Sequence, residues 1–241
     1  MTESSLASSL ARVEEAIAAA CRAANRPRTE VGLVAVSKNH PTAAIVEAVG
    51  LGLSLFGENR VQEFAAKSLE LAATGIRGQM RAHLIGHLQS NKAAKAAEIF
   101  DAVDSVDSLK LAERLNEAAG NLKKRLPVLL EIKLSPEETK AGLAPDSVEL
   151  NELLERLPSL ANLDAQGVMT IAPLDVPEDE TRACFRELRV LRDRLAQAHP
   201  RLNLTVLSMG MSGDFPLAIA EGATRIRVGT ALFGVRPGYP Q

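Results

Sequence analysis

The sequence predicts an α/β fold, a single (β/α)8 TIM-type barrel with an N-terminal helix, and three observations predict it. Short apolar runs of strand character recur about eight times along the chain, the strand count of a closed parallel barrel. A polar or glycine-rich loop follows nearly every run, which is where barrel enzymes and binding proteins carry their chemistry. The length, 241 residues, suits one barrel, which typically takes roughly 250. An open doubly wound sheet also alternates strands and helices; the count and the placement of polar residues favour the barrel.

Residues 3–24 read as the leading helix, because Leu6, Leu10, Val13, Ile17 and Ala20 recur at steps of three and four. Asn25 to Pro27 ends it. Val31 to Val36 is the first strand, followed by Ser37-Lys38-Asn39-His40-Pro41 and a helix over Thr42 to Val49. Leu53 to Phe56 is the second, with Gly57-Glu58-Asn59-Arg60 read as its loop and a helix from Val61. Ala82 to Ile85 and Phe100 to Val103 are the third and fourth; Asp104 to Ser108 is read as loop. Pro127 to Ile132 precedes a longer loop, Lys133 to Gly142. Asp164 to Met169 leads through Thr170-Ile171-Ala172-Pro173 to a helix around Glu180 to His199. Leu204 to Leu207 and Arg225 to Val228 complete the eight. No linker or low-complexity stretch divides them, so residues 1–241 read as one domain: a leading helix over 1–27 and a barrel over 31–234.

Composition narrows the function. Hydrophobic residues make up 46% and charged residues 24%, which excludes a mainly disordered chain. Aromatics are 3%, with Trp 0 and Tyr 1, so the core is expected to be Ala, Leu, Val and Ile, and base stacking on single-stranded nucleic acid is disfavoured. A net charge of −2 carries no basic excess toward nucleic acid. Cys21 and Cys184 match no metal spacing and read as two thiols in a reducing compartment. Charges interrupt the N-terminal apolar pattern, so no signal peptide is expected, and no run reaches the roughly 18 apolar residues of a membrane span. The expectation is a cytoplasmic protein binding neither nucleic acid nor membrane.

Four places carry candidate chemistry. Lys38 follows the first strand: either it snorkels to solvent or it is a functional amine able to form a Schiff base with a carbonyl. Ser208-Met209-Gly210-Met211-Ser212-Gly213 and Gly229-Thr230 follow strands seven and eight, where barrels frequently hold phosphate; their hydroxyls and glycines either serve an anion or make tight turns. Arg227 shares a strand face with Arg225 and is either a ligand group or half of a salt bridge. Glu58, Asn59 and Arg60 either meet a ligand or bind one another. His83 and His87 lack the intervening Glu of a zinc-protease helix and a third ligand, and Asp101, Asp104 and Asp107 lack calcium-loop spacing, so capping and loop solvation are the expected roles of the aspartates.

Several motifs then coincide: Val34-Ala35-Val36-Ser37-Lys38, Phe56-Gly57-Glu58-Asn59-Arg60-Val61-Gln62-Glu63, His83-Leu84-Ile85-Gly86-His87-Leu88-Gln89-Ser90-Asn91-Lys92, Gly167-Val168-Met169-Thr170, Leu207-Ser208-Met209-Gly210-Met211-Ser212 and Arg227-Val228-Gly229-Thr230-Ala231-Leu232-Phe233-Gly234. Together they resemble the pyridoxal phosphate homeostasis protein family, itself similar to the N-terminal barrel of alanine racemase. The resemblance spans residues 31–234. It implies pyridoxal 5'-phosphate bound as a Schiff base on Lys38, a phosphate held by Ser208 to Ser212 and by Gly229-Thr230, and Arg227 at the pyridine nitrogen. Asn59, Ser208, Met209, Gly210, Ser212, Arg227, Gly229 and Thr230 join Lys38 as its expected cofactor-binding residues. It further implies a role in vitamin B6 homeostasis by buffering or delivery to apo pyridoxal phosphate-dependent enzymes, with no established turnover. Lys133 departs from the family, which commonly has Asn there; Glu137, Lys140 and Gly142 keep its E-x-x-K-x-G spacing. The sequence does not decide whether Lys140 or Lys92 offers a second, transient cofactor site.

The alternative is a pyridoxal phosphate-dependent amino-acid racemase-like enzyme. A permanently charged Arg227 at the ring nitrogen opposes the protonated ring that carbanion chemistry favours. A racemase also needs a second acid/base, and the one tyrosine is Tyr239, near the end of the sequence. A racemase is therefore the weaker reading and a carrier without established turnover the expectation; without the racemase's second domain, a monomer is expected.

Overall fold

A computed structural model describes residues 5–135 and 141–234. Eight parallel strands close a barrel in sequence order: β1 (Gly32–Val36), β2 (Leu55–Glu58), β3 (Arg81–Leu84), β4 (Ala102–Val106), β5 (Leu126–Glu131), β6 (Leu163–Met169), β7 (Val206–Ser208) and β8 (Arg225–Val228). β1 and β8 close it, with Gly32 opposite Arg225 and Ala35 opposite Val228. Around them, among the described residues, lie α1 (Leu6–Ala23), α2 (Thr42–Gly50), α3 (Val61–Ala73), α4 (Ala93–Ile99), α5 (Leu109–Asn121), α6 (Val148–Arg156), α7 (Glu178–Ala198), α8 (Phe215–Ala220) and α9 (Thr230–Phe233). The expected fold class is the observed one.

The leading helix forms as its periodicity predicts. Ser5 caps it by accepting from the Ser8 N–H, and Val13, Ile17 and Cys21 are its buried face. That face packs against α8 and α9. The core is largely aliphatic, as composition predicts, but Phe56, Phe64, Phe100 and Phe185 are fully buried within it. The Phe64 and Phe100 rings stack with centroids 4.7 Å apart. Cys21 and Cys184 are both buried and form no disulfide.

β2 and β4 differ most from the sequence reading. β2 runs on to Glu58, and β4 starts at Ala102 and continues through Asp104 and Ser105. Local reading stops a strand at polar residues. Here each polar side chain finds a partner within the fold, which offsets part of the penalty for burying it. Asp104 binds His83 and Arg225, and Ser105 donates to the Gly86 carbonyl at 2.7 Å. Asp104 is therefore an interior group, not the solvated loop residue expected, because its partners come from β3 and β8.

Gly167 fixes the approach of β6 to β7. A Cβ there would lie 2.0 Å from the Val206 carbonyl oxygen. Gly167→Ala must push the paired strands apart, and thermal unfolding should show a loss of about 1–3 kcal/mol. An unchanged melting temperature would remove this role for the glycine.

Candidate functional site

The carboxyl ends of β1, β2, β3, β6, β7 and β8 surround a cavity of about 220 Å³. Six of the sequence-predicted residues line it: Lys38, Asn59, Ser212, Arg227, Gly229 and Thr230. Ser208, Met209 and Gly210 do not; they form the layer beneath. Ser208 is buried and accepts from Arg227, Met209 is a core side chain, and the Gly210 carbonyl accepts from the Arg227 backbone N–H at 3.0 Å. His40, Ile85 and Ile171 also line the cavity, which sequence reasoning did not single out. The signal available for them was position, just past the end of a strand.

Lys38 is half-buried at the end of β1, and the residues on both sides of it are tied down. Ser37 donates through Oγ to Glu58 Oε1 at 2.7 Å. Lys67 of α3 donates to the Ser37 carbonyl at 2.9 Å, to Glu58 at 2.9 Å and to Glu63 at 2.7 Å. Glu63 in turn accepts from the Asn39 backbone N–H at 2.6 Å. Glu58 is fully buried, and that burial pushes its carboxyl pKa up although Lys67 works against the rise. Burial acts to raise Glu63 too, but Lys67 and the Asn39 N–H outweigh it and hold Glu63 low. Glu58 thus turns toward α3 rather than to a ligand, Asn59 faces the cavity, and Arg60 is exposed. The i,i+4 spacing of Glu63 and Lys67 was the sequence signal for this clamp. Its target, the strand end of Lys38, was visible only in space.

Arg227 is buried on β8 with its guanidinium fixed at two points. Nη1 donates to Ser208 Oγ and Nη2 to the Thr170 carbonyl, both at 2.8 Å. Thr170 is itself held through Oγ1 to the Ile132 carbonyl at 2.7 Å. Burial pulls the Arg227 pKa below its usual value, with the Asp104, Asp214 and Glu131 carboxylates opposing; a guanidinium stays charged through such a shift. It enters no rim salt bridge among the described residues. It is a fixed donor aimed at the cavity.

The loops after β7 and β8 meet at Ser212, whose Oγ accepts from the Gly229 N–H at 3.3 Å and the Ala231 N–H at 3.4 Å. Two backbone donors and one hydroxyl thus converge on one place, the donor set an anion needs. At the other side Gly86 lets β3 pass close under Asn59, since a Cβ there would sit 2.4 Å from the Asn59 carbonyl oxygen. Beneath the cavity, Asp104 accepts from His83 Nδ1 at 3.0 Å and Arg225 at 3.2 Å. Burial acts to raise the Asp104 pKa, but His83, Arg225 and Arg227 overcome it and hold it low. His87 pairs with Asp107 at 3.0 Å, so the two histidines serve separate aspartates. Lys92 lies in a one-turn helix, Ser90–Lys92, away from the cavity. Lys140 and Tyr239 fall outside the described residues.

The alanine racemase N-terminal domain family matches residues 9–237. A pyridoxal phosphate homeostasis protein of Pseudomonas aeruginosa is 43% identical over 233 residues, covering 97% of this chain and 96% of its own. The chain belongs to the pyridoxal phosphate homeostasis protein family. Among solved structures of similar proteins, PipY of Synechococcus elongatus with PLP bound has a TM-score of 0.83 at 47% identity, covering 95% of this chain and all of that one. An alanine racemase from Clostridium difficile shares the fold, with a TM-score of 0.67 at 20% identity, over 87% of this chain and 53% of its own. The curated relatives of the homeostasis family are named for homeostasis rather than for a reaction. No helix among the described residues is long and apolar enough to cross a membrane.

Proposed function

We propose that this chain is a single-domain barrel that holds pyridoxal 5'-phosphate on Lys38 and serves intracellular vitamin B6 homeostasis, by buffering the cofactor or delivering it to apo-enzymes. The observation that carries the reading is the convergence on one cavity of three different groups: the Lys38 amine, the buried Arg227 guanidinium and the N–H cluster at Ser212. These match an aldehyde, a ring nitrogen and a phosphate in chemical type, and PipY, 47% identical, is a relative solved with PLP bound. When bound, pyridoxal phosphate supplies an aldehyde that condenses with a primary amine. Lys38 offers that amine at a strand end held by Ser37 and Asn39. Gly229, Ala231 and Ser212 offer donors to the phosphate oxygens, with Thr230 beside them. Arg227 donates and cannot accept a proton, so a ring nitrogen set against it stays unprotonated and a poor electron sink. That favours holding the cofactor over turning over amino acids. The buried, unbridged Cys21 and Cys184 fit a reducing cytoplasm.

The experiment is borohydride reduction of the cofactor-loaded protein followed by peptide mass mapping. The adduct is expected on the Lys38 peptide and absent from Lys38→Ala; full covalent capture by that variant would overturn the assignment. Steady α-deuterium exchange of L-amino acids in deuterated water, with D-isomer formed over many turnovers, would replace the carrier reading with a racemase.

A further inference from the structure

A second cavity, of about 210 Å³, adjoins the Lys38 cavity and shares Asn59, Ile85 and Ile171 as a common wall. Its distinguishing side chain is Glu131, at the carboxyl end of β5. Glu131 is 94% buried, at 6% exposure, and its Oε2 has no hydrogen-bond partner. Asn59 Oδ1, from the shared wall, is also buried without a partner. Neither the Lys38 clamp nor the phosphate loops use Glu131. A buried carboxylate oxygen left without a donor is costly, and unpartnered acceptors on a cavity wall mark what a ligand can supply: hydrogen-bond donors and positive charge. A hard metal ion would need several oxygen ligands, and no group of three metal-ligating side chains occurs among the described residues. A primary ammonium brings one charge and three donors in a small volume.

We propose that the Glu131 cavity is a binding site for small primary ammonium ligands, adjacent to but separate from the Lys38 site. The charges nearest in effect on Glu131 are Asp107 from the loop after β4, His87 from the loop after β3 and Arg227 from β8, and His87 and Lys133 share its cavity. Burial, reinforced by Asp107, raises the Glu131 pKa to about 7 against the pull of Arg227 and His87. A bound ammonium favours the ionised carboxylate and must lower that value, releasing protons near neutrality. Binding therefore strengthens as pH rises from 6 to 8, while an alkylammonium of lysine-like pKa stays charged.

The test is a carboxyl-carbon NMR titration of the full chain with ethylammonium chloride, against sodium chloride at equal ionic strength. The Glu131 pKa is expected to fall by at least one pH unit with ethylammonium only, and ethylammonium affinity to rise about tenfold between pH 6 and pH 8. Glu131→Gln, which leaves His87, Asp107, Lys133 and Arg227 in place, should lose both the binding and its pH dependence. An equal shift with sodium, or undiminished binding by Glu131→Gln, overturns the proposal. Because the titration runs without cofactor, its outcome is independent of whether Lys38 traps pyridoxal phosphate.

Discussion

Lys67→Met is expected to lower stability by about 3–5 kcal/mol, because it removes one partner of a buried ion pair and leaves the other behind. The Lys67 ammonium and the fully buried Glu58 carboxylate are 2.9 Å apart. The same ammonium holds Glu63 and the Ser37 carbonyl. Methionine keeps the packing of the stem but none of these bonds. Glu58 already has a raised pKa from burial, and losing Lys67 raises it further. A carboxyl whose folded value stands above its unfolded one loses stability as pH rises between the two. The deficit should therefore be larger at pH 8 than at pH 5. Thermal unfolding at both pH values measures it, with an expected fall on the order of 10 °C for a domain of this size. Adding Glu58→Gln should recover much of the loss, since no buried charge is then left alone. A single-variant cost below about 1 kcal/mol, the scale of an exposed pair, would show that the cluster is solvated. The cofactor capture proposed for Lys38 should weaken in parallel, since Ser37 and Asn39 lose their anchor.

Asp104→Asn is the second large effect, again about 3–5 kcal/mol. Asp104 is 1% exposed and is the anion that Arg225 and His83 share, with Arg227 close by. Asparagine retains the shape and leaves the arginines without that counter-charge inside the barrel. Here the pH sign is opposite. The folded pKa of Asp104 lies below its ordinary value of 3.8. Its contribution is therefore complete above that value and disappears as pH falls through the folded pKa. Wild type and variant should differ fully near neutrality and converge in acid. Denaturant unfolding between pH 3 and pH 7 checks it; a difference independent of pH would mean that the variant fails through packing and not through charge.

The two clusters also show what a sequence can and cannot carry. Strand–loop–helix alternation is local: each apolar run, each Pro or Gly and each helical stretch is readable from neighbours along the chain. Eight such units in one chain fix the barrel, and a barrel fixes which loops share a mouth. Lys38, Ser212, Arg227, Gly229 and Thr230 were legible for that reason, each standing at or just after a strand end. The named motifs supplied the chemistry proposed for those positions.

The tertiary structure decided everything that depends on facing. Asp104 looks like a loop carboxylate until β3 and β8 bring His83 and Arg225 to it, and Lys67 looks like a surface lysine of an amphipathic helix until Glu58 turns out from β2 beneath it. Glu131 sits in an apolar strand with nothing nearby in sequence to reveal its lack of a partner. Ser208, Met209 and Gly210 share a motif with Ser212, yet they support the cavity from below. The reason is physical. Backbone conformation is set by interactions over a few residues, whereas the state of a buried charge is set by groups a few ångströms away that lie far off along the chain.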